Sequence, residues 1–292
     1  MWQDLILTVF EAQRDLHERL IAGFQQVSGD PAAAWWVVGL SFLYGLFHAA
    51  GPGHGKVIIT TYLATQPAWL ARGVLLASLG AMVQGATAII LVYGVVLVVG
   101  SLVGYTDLAV DWSERVSFAL VLCLGLWLLL RGGRSLRGSL AKASPHHHHG
   151  DEHQHHHHDG CCDHHHVADA AQVEKSRQGL GAMALVILSM GLRPCTGAIL
   201  VLVFASAIGQ TALGFFAVLA MSSGTAIAIS LLAIVTILAR DQIGQFASRH
   251  GSANLIGLAS ATLLIGGGLL LTWFGGSLLY WSFSAPAHPL QL

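Results

Sequence analysis

The stretch HAAGPGHGK, His48 to Lys56, lies inside an otherwise apolar run from about Trp35 to Thr65. In an unbroken helix, six residues at about 100° each set two side chains about 120° apart around the axis and about 9 Å along it. His48 and His54 could not then share an ion. Gly51, Pro52 and Gly53 change this, because proline removes a backbone donor and glycine permits unusual dihedrals. The helix is expected to break there and let the imidazoles converge. Broken backbone at membrane depth is tolerated only where it is buried in protein or lines a watery cavity, so the stretch predicts an ion site on an interrupted helix.

That the run lies in a membrane follows from composition. The 292 residues are 54% hydrophobic and only 10% charged, against roughly 25% charged in soluble domains. Apolar stretches suited to spans of about 20 residues run from about Trp35 to Thr65, Gly73 to Gly100, Val116 to Leu130, Gly179 to Ile208, Ala212 to Ala239 and Ala253 to Tyr280. Six spans are expected, the third short and tolerated by tilt or local thinning. Residues 1–30 lack the basic start of a signal peptide, and their apolar run from Leu5 to Phe10 is too short for one. Leu16, Leu20, Ile21, Phe24 and Val27 among Asp15, Glu18 and Arg19 predict an interfacial amphipathic helix instead.

A second interruption, GLRPCTGA from Gly191 to Ala198, repeats the Pro-x-x-Gly spacing: Pro52 with Gly55, Pro194 with Gly197. The chain thus divides into an N-terminal segment (1–34), a first three-helix repeat (35–130), a loop (131–178), a second three-helix repeat (179–282) and a tail (283–292). Three spans per half is an odd number, so the repeats must be inverted in the membrane. The expected fold is an all-α integral membrane protein of six helices, the first of each half broken at Pro-x-x-Gly.

Net charge is −1, which suggests no nucleic-acid partner, and the placement of charge is more telling. Arg72, Arg131, Arg134, Arg137, Lys142, Lys175, Arg177, Arg240 and Arg249 fall on one side of the six spans; Arg14, Arg19 and Arg115 fall on the other. The positive-inside rule puts the 131–178 loop in the cytoplasm and both termini outside. Asp107, Asp111 and Glu114 then face outward.

Imidazole suits nickel, cobalt, zinc and copper, while calcium and magnesium want oxygen ligands, and the six apolar stretches hold no carboxylate. Cys195, at the second interruption, is a candidate third ligand beside His48 and His54; a packed histidine and a small apolar filler are the bland alternatives. Lys56 and Arg193 are basic groups deep in spans, each beside a break. They read as gate or counter-charge elements, or as snorkelling side chains. Gln84, Thr87, Ser222, Ser223 and Thr225 read as groups that join helices.

The loop carries HHHHGDEHQHHHHDGCCDHHH, in which twelve of twenty-one residues are histidine; nothing in it can build a packed core. Its metal-collecting groups are His146, His147, His148, His149, His153, His155, His156, His157, His158, Cys161, Cys162, His164, His165 and His166. The adjacent cysteines suit soft metal ligation better than a disulfide.

With HAAGPGHGK, GLRPCTGA and the tract between them, the sequence resembles the NicO-type nickel/cobalt transporters, in particular their efflux members. The resemblance covers most of residues 35–280. It implies six helical spans, an inner-membrane location in a bacterium, and export of Ni²⁺ and Co²⁺ as substrates, with no tightly bound cofactor and the lipid bilayer as surroundings. It carries over to His48 and His54 in the first motif and to Arg193, Pro194, Cys195, Thr196 and Gly197 in the second. The other nickel/cobalt permease family, with an H-x4-D-H signature, is not matched, since His48 lacks an Asp-His partner.

Other classes are weaker. Pro-Cys in a broken membrane helix looks like the transmembrane thiol-disulfide reductases, but those need one cysteine from each half, and the first break carries His54 where the second carries Cys195. A sensor or storage module makes no use of two broken helices in corresponding places. An uptake permease uses the same residues in the opposite direction. No GxxxxGK[ST] loop is present, so ATP hydrolysis by that route is not expected, and proton antiport is the economical coupling.

Deleting His146 to His166 should keep the protein in the membrane and leave transport at saturating metal, while weakening it at low metal, because a disordered tract raises local ion concentration without forming the pathway. Metal flux measured across a concentration series tests this.

Overall fold

A computed structural model describes residues 2–27, 32–49, 51, 53–66, 69–99, 105–141, 170–250 and 253–284. Among these the chain forms helices and no strand: α1 (Trp2–Gln26), α2 (Ala33–His48), α3 (His54–Thr65), α4 (Leu70–Val99), α5 (Tyr105–Ala141), α6 (Ala170–Gly191), α7 (Thr196–Ala207), α8 (Thr211–His250) and α9 (Ala253–Ser284). Four helices contain apolar stretches long enough to cross a bilayer, at Leu70–Leu97, Leu108–Arg137, Thr211–Phe246 and Ala259–Ser284. A fifth candidate is the pair Leu180–Gly191 and Thr196–Ala207, bent by 54° at its break. The protein is a multi-pass helical membrane protein.

Two expectations need correction. The third span is not short, because α5 continues for 37 residues, about 55 Å at 1.5 Å per residue. The 131–178 loop is helical at both ends, through Ala141 and from Ala170. The collecting residues His146 to His166 lie outside the described residues.

The N-terminal amphipathic helix is present, and its apolar stripe is taken up by protein. Leu20 and Phe24 are fully buried with Val37 of α2, and Phe24 meets Phe204 of α7 edge-on at 6.2 Å. Arg14–Glu18 and Arg19–Asp15 pairs cover the opposite, exposed face, where such pairs stabilise little.

The long helices pack as α4 on α8 and α5 on α9, with α2 also against α8. Small residues permit the approach, since without a hydrophobic force in lipid it is backbone proximity that gains van der Waals contact. A Cβ on Gly45 would run into the Met221 carbonyl, and one on Gly224 into the Phe42 carbonyl. Thr225 Oγ1 donates to Gly45 O at 3.0 Å across this seam. Ser78 and Ser230 join α4 to α8 at 3.2 Å. Exposed aromatics sit at the starts of α2 and α5 (Trp35, Trp36, Trp112) and at the end of α9 (Tyr280, Trp281), as expected for residues at a membrane interface.

Gly45→Ala should destabilise the protein by about 1–3 kcal/mol through overpacking, whereas Gly39→Ala on the same helix, where an added Cβ meets nothing within 4 Å, should be neutral or stabilising by up to about 1 kcal/mol. Thermal unfolding midpoints in detergent compare the two.

Candidate metal pathway

Both interruptions open onto one cavity. α2 ends at His48, Gly51 and Gly53 carry the chain across, and Gly53, in extended conformation, precedes His54 as the first residue of α3. Pro52 lies outside the described residues. α6 ends at Gly191, and Cys195, also extended, caps α7 at Thr196. Between them lies a cavity of about 190 Å³ whose lining includes His48, Gly53, His54, Lys56, Arg193, Pro194, Cys195 and Thr196. Gln84 of α4, Ser117 and Phe118 of α5, Met190 of α6 and Thr225 of α8 complete much of the wall.

Within the cavity the candidate residues form two pairs. His48 Nε2 lies 3.5 Å from Cys195 Sγ, and the Tyr44 ring stacks on His48 at 5.8 Å. His54 Nδ1 lies 2.7 Å from Arg193 Nη1, with the His54 ring 5.1 Å from Phe274. Among the described residues no three His, Cys, Asp or Glu side chains gather closely enough to hold an ion together. Lys56 Nζ is buried without a hydrogen-bond partner among those residues. Gly197 is buried against Tyr44, where a Cβ would lie 2.6 Å from the phenol oxygen. Gly51 is packed under Gln13 of α1, whose amide donates to Phe47 O at 2.8 Å.

Among the mid-span polar groups, Thr87 and Thr225 join helices through hydrogen bonds, and Ser223 does not. Thr87 Oγ1 donates to Gly191 O at 2.9 Å, and Ser223 returns to Leu219 O in its own helix. Gln84 and Thr225 also reach the cavity wall. Cys123 is exposed on α5 and Cys195 faces an imidazole, so these two do not form the thiol pair an electron carrier needs.

Sequence reasoning missed the carboxylate beside the site. Glu114, read from sequence only as a charge on the outer side, stands on α5 and holds Arg193, with Oε1 3.1 Å from both Nε and Nη2. Ser113 donates to Leu192 O, and Ser117 donates to Ser189 O at 2.6 Å. Ser113, Glu114, Ser117 and Phe118 share one helical face, a spacing legible in the sequence once α5 is allowed to start before its apolar run.

Residues 34–168 match a family described as high-affinity nickel-transport protein, NicO. Over 278 residues, 92% of this chain and 86% of the relative, the sequence is 33% identical to a Haemophilus influenzae protein whose name describes it, provisionally, as a nickel/cobalt efflux system. The chain belongs to the NicO family of nickel/cobalt transporters. No solved structure matches it. For a NicO protein the cavity has apt chemistry: nitrogen and sulfur donors suit a late first-row dication.

Proposed function

We propose that this NicO protein exports Ni²⁺ and Co²⁺ from the cytoplasm through the cavity between its two interruptions, with His48, His54 and Cys195 as ligands. The observation that carries this reading is the meeting of both helix breaks at one cavity that holds two imidazoles and a thiol.

In this reading α2 with α3, and α6 with α7, are broken spans, which with α4, α5, α8 and α9 make six in two inverted halves. The packing of α4 on α8 and α5 on α9 supports that equivalence, since each pair joins corresponding members of the halves. Arg240, near the end of α8, donates to Gln66 O at 2.6 Å and Leu63 O at 3.2 Å at the end of α3. These ends belong to the side that the positive-inside rule makes cytoplasmic, together with the His146–His166 tract that collects metal. Both termini lie outside. Gly51, Pro52, Gly53, Pro194, Thr196 and Gly197 form the breaks about which the halves rock, and Lys56 and Arg193 act as gate charges.

Coupling is by proton antiport. A neutral imidazole binds metal and a protonated one releases it, so a site exposed to an acidic exterior exchanges its ion for protons.

His48→Ala and His54→Ala should each lower metal flux at least tenfold, the lower end of what loss of a mere outer-shell partner costs a metal site, with the protein still in the membrane. Flux equal to that of the unaltered protein in either variant would remove the ligand assignment. In oriented proteoliposomes with the membrane potential clamped, acid on the outer side should drive Ni²⁺ toward that side. Indifference to the gradient would eliminate proton coupling, and flux only in the opposite direction would make the protein an importer.

A further inference from the structure

The contact between Arg193 and His54 limits what His54 can bind. A guanidinium donates hydrogen bonds and never accepts them. Nη1 lies 2.7 Å from Nδ1 and 3.5 Å from Nε2, so one guanidinium nitrogen stands against both nitrogens of the ring. An ion approaching either ring nitrogen meets that positive charge at contact distance. Guanidinium and metal exclude one another at His54.

Arg193 is held for this role from α5. Glu114 Oε1 takes both Nε and Nη2 at 3.1 Å. The Phe118 ring lies under the guanidinium at 5.1 Å and 6.1 Å from the His54 ring. Only Nη1 reaches the imidazole. The two side chains of the ion pair are 28% and 25% exposed, so burial does not lock them. Both contacts use one carboxylate oxygen, whereas a fork onto both oxygens is the stronger arrangement. A guanidinium leaving His54 can turn into that fork without leaving its anchor.

We propose that Glu114 and Arg193 form a competing-cation latch: Arg193 occupies His54 until an arriving dication repels it onto Glu114, so that Glu114 sets how readily the metal gains its ligand. The proposal rests on His54 being a metal ligand. Glu114 is on this account a positioning residue that acts only through Arg193. A merely structural tie between α5 and the second interruption makes a different prediction, because loss of either partner would then impair the site in the same direction.

The test is the half-saturating Ni²⁺ concentration for flux through the full-length protein in proteoliposomes. Arg193→Gln should lower it roughly tenfold and Glu114→Gln raise it by a similar factor, the scale of one charge-assisted hydrogen bond. The double variant should match Arg193→Gln alone, and Glu114→Asp should stay near the unaltered protein. A raised value in Arg193→Gln, a lowered value in Glu114→Gln, additive effects in the double variant, or loss of flux in Arg193→Gln and Arg193→Lys alike would overturn the latch. His54→Ala separates the levels. If it abolishes flux while both single variants raise the half-saturating concentration, the latch alone fails; if it changes nothing, the ligand reading fails and the latch with it.

Discussion

A bilayer offers no water to an unpaired carbonyl, and this architecture turns on that constraint. Each helix end leaves backbone groups without intrahelical partners, and two helices here end among the spans, at His48 and Gly191. The surrounding elements answer with donors: Gln13 to Phe47 O, Thr87 to Gly191 O, Ser113 to Leu192 O and Ser117 to Ser189 O. The interruptions are stable because α1, α4 and α5 bring hydroxyls and an amide to them. The close glycine-mediated seam between α2 and α8 sets the first interruption in its place.

That arrangement also shapes the chemistry left in the cavity. With Phe47 O, Ser189 O and Gly191 O engaged as acceptors, imidazole and thiol are the conspicuous remaining donors toward an ion. Such a set disfavours a hard dication, which needs many oxygens, and admits the softer late transition metals. On the proposed pathway, Lys56 in the same wall opposes entry of a dication, while Glu114 offsets much of the Arg193 charge. In that reading an ion has to gain enough from ligand bonds to offset this repulsion, which would favour strongly coordinating metals over alkaline-earth ions.

Much of this was legible in the chain because glycine and proline act locally. The helix ends at His48 and Gly191 fall at HAAGPGHGK and GLRPCTGA, and the apolar stripe of α1 was legible as a stripe, though it was expected to meet the membrane interface and instead packs on protein. The pairing inside the cavity was not legible. Six residues of spacing say that His48 and His54 can converge once the helix breaks, but which neighbour each meets depends on the other half, where Cys195 goes to one and Arg193 to the other. Glu114 was missed for a similar reason: hydropathy ends the third span at the edge of its apolar run, while a helix continues for as long as its backbone bonds can form. Gln13 and Phe47 are separated by too many residues for any local pattern to connect them.

The docking of α1 bears on how the molecule is assembled. This helix is made before α7, yet Phe24 meets Phe204 of α7, which is synthesised after the tract and the start of the second half. Closure of so long a loop is slow relative to local helix formation. The stripe can pack on Val37 of α2 as soon as that helix is made, while its α7 edge is filled later. Complete seating of α1 thus draws on a segment from before the tract and one from after it.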